Sequence, residues 1–246
     1  MILIVGSSHD DILYFESIMT SRRNEKLFDT FDLTIGNIFN QEVMLVDNIH
    51  TNNLSSAIVT ALIAKYYVIL VFVVGRCGAF SKDWKLGEFA LSKRIIMGDV
   101  DVSPDTDAFL GQIPGFPQYY STQEDVYGYL TGSFGRRINS DFYPATYVST
   151  NAVYTSSNEL RGLAHNDSLF GAEKRVVFDN NAAGVALACH LAHVPYIAAK
   201  VVSRFLDKPY DVNVYAATLG KYIELDRGIV ATIGDIGRND LLGGNN

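Results

Sequence analysis

The chain has 246 residues, with 27 acidic side chains against 20 basic ones and a net charge of −7. Most of its surface would therefore repel a nucleic acid or an anionic membrane. Apolar residues make up 48%, including 14 Tyr and 14 Phe, so one large core needs no disulfide or metal to support it. The two cysteines, Cys77 and Cys189, are too few for a disulfide scaffold and point to a reducing, cytoplasmic setting.

Residues 1–5 form a continuous apolar run that predicts a buried strand. It is too short for a secretory leader or a membrane span. Ser7 and Ser8, followed by His9, Asp10 and Asp11, read as a helix start with hydroxyl caps and acids in the first turn. Residues 31–38 and 43–49 are β-rich on either side of Asn40 and Gln41 and predict a hairpin. Leu54, Ile58, Ala61 and Leu62 then recur at helical spacing, and residues 66–74 return as a strand.

Further along, residues 89–97, 146–149 and 174–179 are strand candidates, and residues 157–165 a short helix. Residues 181–193 are apolar almost all round, which predicts a helix buried on most sides. Residues 196–203 are a β-branched strand, residues 212–225 the last helix, and residues 243–246 a frayed tail. Strands alternating with helices predict an α/β fold over residues 1–246. The expectation is a single three-layer domain with a mostly parallel or mixed central β-sheet flanked by helices. Ligands in such sheets sit at the carboxyl ends of strands, which directs attention to the turns at residues 6–11, 75–79, 99–117, 150–157, 178–182 and 203–207. The 99–117 segment, with Asp99, Asp101, Gly111, Pro114, Gly115 and Pro117, has the composition of a rigid loop that serves a site.

These turns resemble those of the purine nucleoside phosphorylase and nucleosidase superfamily, most nearly its 5′-methylthioadenosine/S-adenosylhomocysteine nucleosidase branch. Four stretches carry the resemblance: Gly6 with Asp10 and Asp11; Val74-Gly75-Arg76-Cys77-Gly78-Ala79 ahead of Leu86-Gly87-Glu88; the 99–117 loop; and Phe178-Asp179-Asn180-Asn181-Ala182 leading to Cys189-His190. The resemblance implies a nucleoside phosphorylase-like fold, no cofactor, a homodimer and cleavage of a purine N-ribosidic bond through an oxocarbenium-like transition state. Such chemistry needs acid and base groups on opposite sides of the substrate.

By the same resemblance Asp11 falls where the family keeps its water-activating glutamate, on an arm one methylene shorter. Asn181 replaces the ribose-binding glutamate, retaining hydrogen bonds but not the negative charge. Arg204, after Ser203, replaces the aspartate that protonates the purine, and an arginine stays charged at neutral pH. Asp207, three residues on, is the remaining candidate acid, so the catalytic candidates are Asp11 and Asp207. The implied substrate contacts are Arg76, Val153, Phe178, Asp179, Asn180, Asn181, Ser203 and Arg204. A purine nucleoside hydrolase of impaired efficiency is the first functional expectation. A non-catalytic nucleoside-binding relative is the second and a phosphorylase the third.

Other constellations carry less. Cys189, His190 and His193 share a helix face, but no fourth ligand accompanies them and no metal is expected. No nucleophile-elbow spacing accompanies Ser149 or Ser203. Arg22-Arg23 and Arg136-Arg137 read as solvated surface. The aromatic group Tyr119, Tyr120, Tyr127 and Tyr129 suits a subunit contact.

Overall fold

The computed structural model describes residues 1–80, 82–136, 138–152 and 175–239. The short helix expected at 157–165, Val153 and the tail lie outside these residues. Ten strands form one mixed sheet: β1 (Ile2–Gly6), β2 (Thr20–Leu27), β3 (Phe31–Ile38), β4 (Gln41–Val46), β5 (Leu70–Ala79), β6 (Phe89–Met97), β7 (Tyr120–Ser121), β8 (Phe142–Ser149), β9 (Val176–Asp179) and β10 (Tyr196–Phe205). Their order is β10-β6-β8-β9-β5-β1-β4-β3-β2, with β7 on β6. The strand β10 also pairs with β5, so β5, β10, β6, β8 and β9 close into a ring from which the other half of the sheet extends.

The apolar runs read from the sequence are strands buried on both faces. Along β1, Leu3 and Val5 join one core while Ile2 and Ile4 join the other. In β5, Val71 and Val73 alternate in the same way with Leu70, Phe72 and Val74. Against the first face pack α2 (Asn52–Lys65) and α4 (Ala182–Ala192); against the second pack α1 (Leu13–Ile18), α3 (Glu124–Gly135) and α6 (Leu219–Asn239), with α5 (Val212–Ala217) ahead of it. The first two helices cross where Gly184 sits, since a β-carbon there would overlap Asn52 O and Ser55 Oγ. Ser55 Oγ donates across the crossing to Asn181 O at 2.8 Å, and Gly184 N donates to Asn52 Oδ1 at 3.1 Å.

Several boundaries depart from the sequence reading. The expected turn at 75–79 is strand, because β5 continues through Gly75 and Arg76 to pair with β10 and β9. The strand β10 likewise runs on to Phe205. The last helix breaks at Thr218 and continues to Asn239, carried by the buried stripe Leu225, Ile229, Ile233 and Ile236. Three elements were not expected: β2, an exposed edge strand containing Arg22 and Arg23, the short β7, and α3. Tyr120 is buried, so only Tyr119 of that pair presents an exposed ring. Among the described residues no helix is long and apolar enough to cross a membrane.

Candidate functional site

After β1 the chain turns through one tight 3-10 turn, His9–Asp11, which carries Asp11 back beneath the sheet end at 2% exposure. Ser8 N donates to Asp11 Oδ2 at 2.9 Å. The other oxygen, Oδ1, accepts no hydrogen bond and faces Arg76 Nη2 at 3.8 Å. Gly75 makes room for this carboxylate: a β-carbon there would lie 2.8 Å from Asp11 Oδ2, and its φ of +128° is one that side-chain-bearing residues rarely adopt. Arg76 also donates to Ser8 Oγ at 2.9 Å and lies over the Tyr222 ring, 5.5 Å from its centroid.

Arg76 lines two hollows. One, of about 480 Å³, is walled by Leu13, Tyr14, Leu219, Tyr222 and Ile223 and holds Asp10, Asp11 and Asp226. Asp226 is 3% exposed, and burial, reinforced by the charge of Asp11, pushes its carboxyl well above the usual range. The second hollow, a cleft of about 340 Å³, is lined by Gly78, Thr150, Phe178, Asp179, Asn180, Ser203, Arg204 and Tyr210 as well as Arg76. In it Arg204 follows a β-bulge: Val202 pairs with Cys77 and Arg204 with Gly78, leaving Ser203 as the surplus residue that re-aims the strand end. Burial pulls the Arg204 guanidinium below its ordinary value.

Behind the cleft, Lys200 and Asp179 form a buried pair, Nζ to Oδ2 at 2.5 Å with neither side chain exposed. Lys200 Nζ donates also to Asn181 Oδ1 at 2.6 Å, and Ala182 N donates to Asp179 Oδ2 at 3.1 Å. The Asn181 amide donates to Ser7 Oγ at 3.1 Å and to Ile49 O at 3.0 Å. With all its polar atoms engaged and no exposure, Asn181 braces the junction of β1, α4 and β10 and lines neither hollow.

Of the sequence candidates, Phe178, Asp179, Asn180, Ser203 and Arg204 come together in the smaller cleft, Asp11 lies in the larger hollow, and Arg76 joins the two. Asp207 is exposed and lines neither. The 99–117 loop stands elsewhere: Asp99, Val100 and Ile113 line a third hollow along α2, where Asp99 Oδ2 accepts from Asn151 N and Nδ2, both at 2.7 Å. Cys189 is buried in α4, and His190 packs edge-on against Tyr120 and Phe116.

Sequence reasoning reached Thr150 only as the first residue of the 150–157 turn and passed over Tyr210, Tyr222 and Asp226. The last had a readable signal, an acid set within the apolar stripe of Tyr222, Leu225 and Ile229. A charge in such a stripe is either paired or neutralised.

Residues 1–233 match the family model described as the phosphorylase superfamily. The chain belongs to the phosphorylase superfamily. Within this superfamily it is 23% identical to the 5′-methylthioadenosine/S-adenosylhomocysteine nucleosidase of Staphylococcus haemolyticus, over 95% of this chain and 98% of the relative. A solved nucleosidase of that name from Colwellia psychrerythraea, in complex with adenine, superposes with a TM-score of 0.84 at 16% identity, covering 95% of this chain and 94% of the other. The futalosine hydrolase of Helicobacter pylori superposes with a TM-score of 0.82 at 20% identity, covering 95% and 97%. The nucleoside phosphorylase-like α/β fold expected from the sequence is thus the fold observed, and these superfamily relatives are N-glycosyl hydrolases.

Proposed function

We propose that this protein hydrolyses the N-ribosidic bond of a purine nucleoside, the reaction type named for its nucleosidase relatives. The observation that carries the reading is the Asp11 carboxylate, buried, held by Ser8 N through one oxygen and facing the Arg76 guanidinium, without a hydrogen bond, through the other. Its role is that of general base: it takes a proton from water as the water oxygen bonds to the anomeric carbon. The carbon–nitrogen bond breaks and its electron pair stays on the departing base. The positive charge of Arg204 steadies that electron-rich base without itself giving up a proton. Asn180 and Ser203 are polar groups of the cleft that suit ribose hydroxyls.

A second reading, nucleoside binding without turnover, is favoured by Arg76, whose guanidinium stands between Asp11 and the smaller cleft. One experiment decides between them. The purified chain is incubated with 5′-methylthioadenosine, adenosine and inosine, with and without phosphate, and free base is measured. Base release without phosphate, lost in Asp11→Asn, supports hydrolysis. Nucleoside binding without release supports the binder, and release only with phosphate supports phosphorolysis.

Assembly as a homodimer belongs to the same proposal. It is supported by Phe109 and Tyr119, exposed large rings on and next to the 99–117 loop.

A further inference from the structure

The cations around the candidate site are matched by partners, with one exception. Lys200 has Asp179 and Asn181. Arg76 has Ser8 and Asp11. Arg204 has no hydrogen bond or ion pair among the described residues, although it is half-buried and lies along Gly78, with Nε 3.2 Å from where a β-carbon of that glycine would be. Withdrawing a cation from water without a counter-charge is unfavourable.

The cleft offers Arg204 little relief. Asp179 Oδ2 is taken by Lys200 and Ala182 N, and the Ser203 hydroxyl is turned to Cys77 O at 3.5 Å. A guanidinium is a planar fork of donors with no acceptor of its own. With no partner among the described residues, Arg204 is placed to take one from the ligand, as two neighbouring acceptor atoms in one plane. The aromatic residues Phe178 and Tyr210 line the same cleft and suit a flat ring.

In a purine, O6 and N7 of a 6-oxo base form such an acceptor pair, which arginine engages with both prongs. A 6-amino base puts a donor at the first of these positions. Building on the purine-nucleoside reading above, we propose that Arg204 sets specificity, making the cleft prefer a 6-oxopurine nucleoside to a 6-aminopurine one. A carboxylate or phosphate offers the same paired acceptors, so the test must separate these sources.

Calorimetric titration of the full chain with inosine, guanosine, adenosine, 5′-methylthioadenosine, acetate and inorganic phosphate does so. The expected result is inosine and guanosine binding roughly tenfold to a hundredfold more tightly than the two amino-substituted nucleosides. Arg204→Met should erase that preference, and Arg204→Lys, which keeps the charge but loses the fork, should reduce it. Adenosine binding as tightly as inosine, or a preference that survives in Arg204→Met, overturns the inference while leaving the nucleoside reading intact. Acetate or phosphate binding more tightly than inosine, and losing that binding in Arg204→Met, also overturns it by assigning Arg204 to an oxyanion. Failure of every nucleoside to bind overturns the functional reading itself, and this inference with it.

Discussion

Lys200 and Asp179 meet at 2.5 Å with neither side chain exposed, at the point where β10 passes behind the loop joining β9 to α4. Removing one member of such a pair strands the other charge. Lys200→Met is expected to destabilise the fold by about 3 to 5 kcal/mol, and the double variant Asp179→Asn, Lys200→Met by clearly less. Urea unfolding of the two variants and the parent checks this. Equal losses in the single and double variants would mean that the pairing is not what matters.

Gly75→Ala combines two penalties, a positive φ and a β-carbon 2.8 Å from Asp11 Oδ2. A cost of roughly 1 to 3 kcal/mol is expected from the backbone alone. Because the intruding group is aimed at the carboxylate, base release should fall well beyond what the lost stability accounts for. Turnover measured far below the melting range separates the two effects, and unchanged turnover would refute the placement of Asp11.

The buried carboxyl of Asp226 gives a pH dependence of defined sign. Its folded-state pKa lies above the unfolded value of about 3.9, so the folded chain holds this proton more tightly. Its contribution to stability is therefore fully present in acid and is lost progressively as pH rises through the interval between the two pKa values. Asp226→Asn removes that dependence. The variant should match the parent in acid and exceed it towards neutrality, as read from unfolding curves at a series of pH values. A difference that stays constant with pH would contradict this account.

Gly184→Ala inserts a methyl group into the crossing of α2 and α4, against Asn52 O and Ser55 Oγ. Backbone oxygen cannot rotate aside, so a loss near the upper end of the usual overpacking range, about 3 kcal/mol, is expected. Thermal unfolding should show it. A loss below about 1 kcal/mol would mean that the helices slide apart freely.

What the sequence disclosed was what periodicity and composition encode. Residues 1–5 and 70–74 are apolar at every position because both faces of the sheet are covered, and residues 182–189 are apolar because their helix is enclosed. The edge strand β2 escaped because its residues, Arg22 and Arg23 among them, face water and its pairing with β3 leaves no alternation to read. The strand character of 75–79 was masked by two glycines, Gly75 serving close approach to Asp11 and Gly78 close approach to Leu206 and Arg204.

The site was legible only in part. Phe178 and Asp179, at the end of β9, and Asn180 after it line the cleft, but neighbouring Asn181 turns inward to Ser7, Ile49 and Lys200. Which way a residue at a strand end faces depends on the helix that follows. Asp226 and Tyr222 gain their meaning from Asp11 and Arg76, far away in the chain, and only the fold supplies that meeting.

The surplus residue at Ser203 separates architecture from chemistry within a single strand. Up to Val202 the ladder with β5 is regular, and after the irregularity it resumes through Gly78 and Ala79, so the side chain at position 204 can change without disturbing either run of backbone bonds. The scaffold is thereby insulated from a change of side chain at the position proposed above to read the bound base.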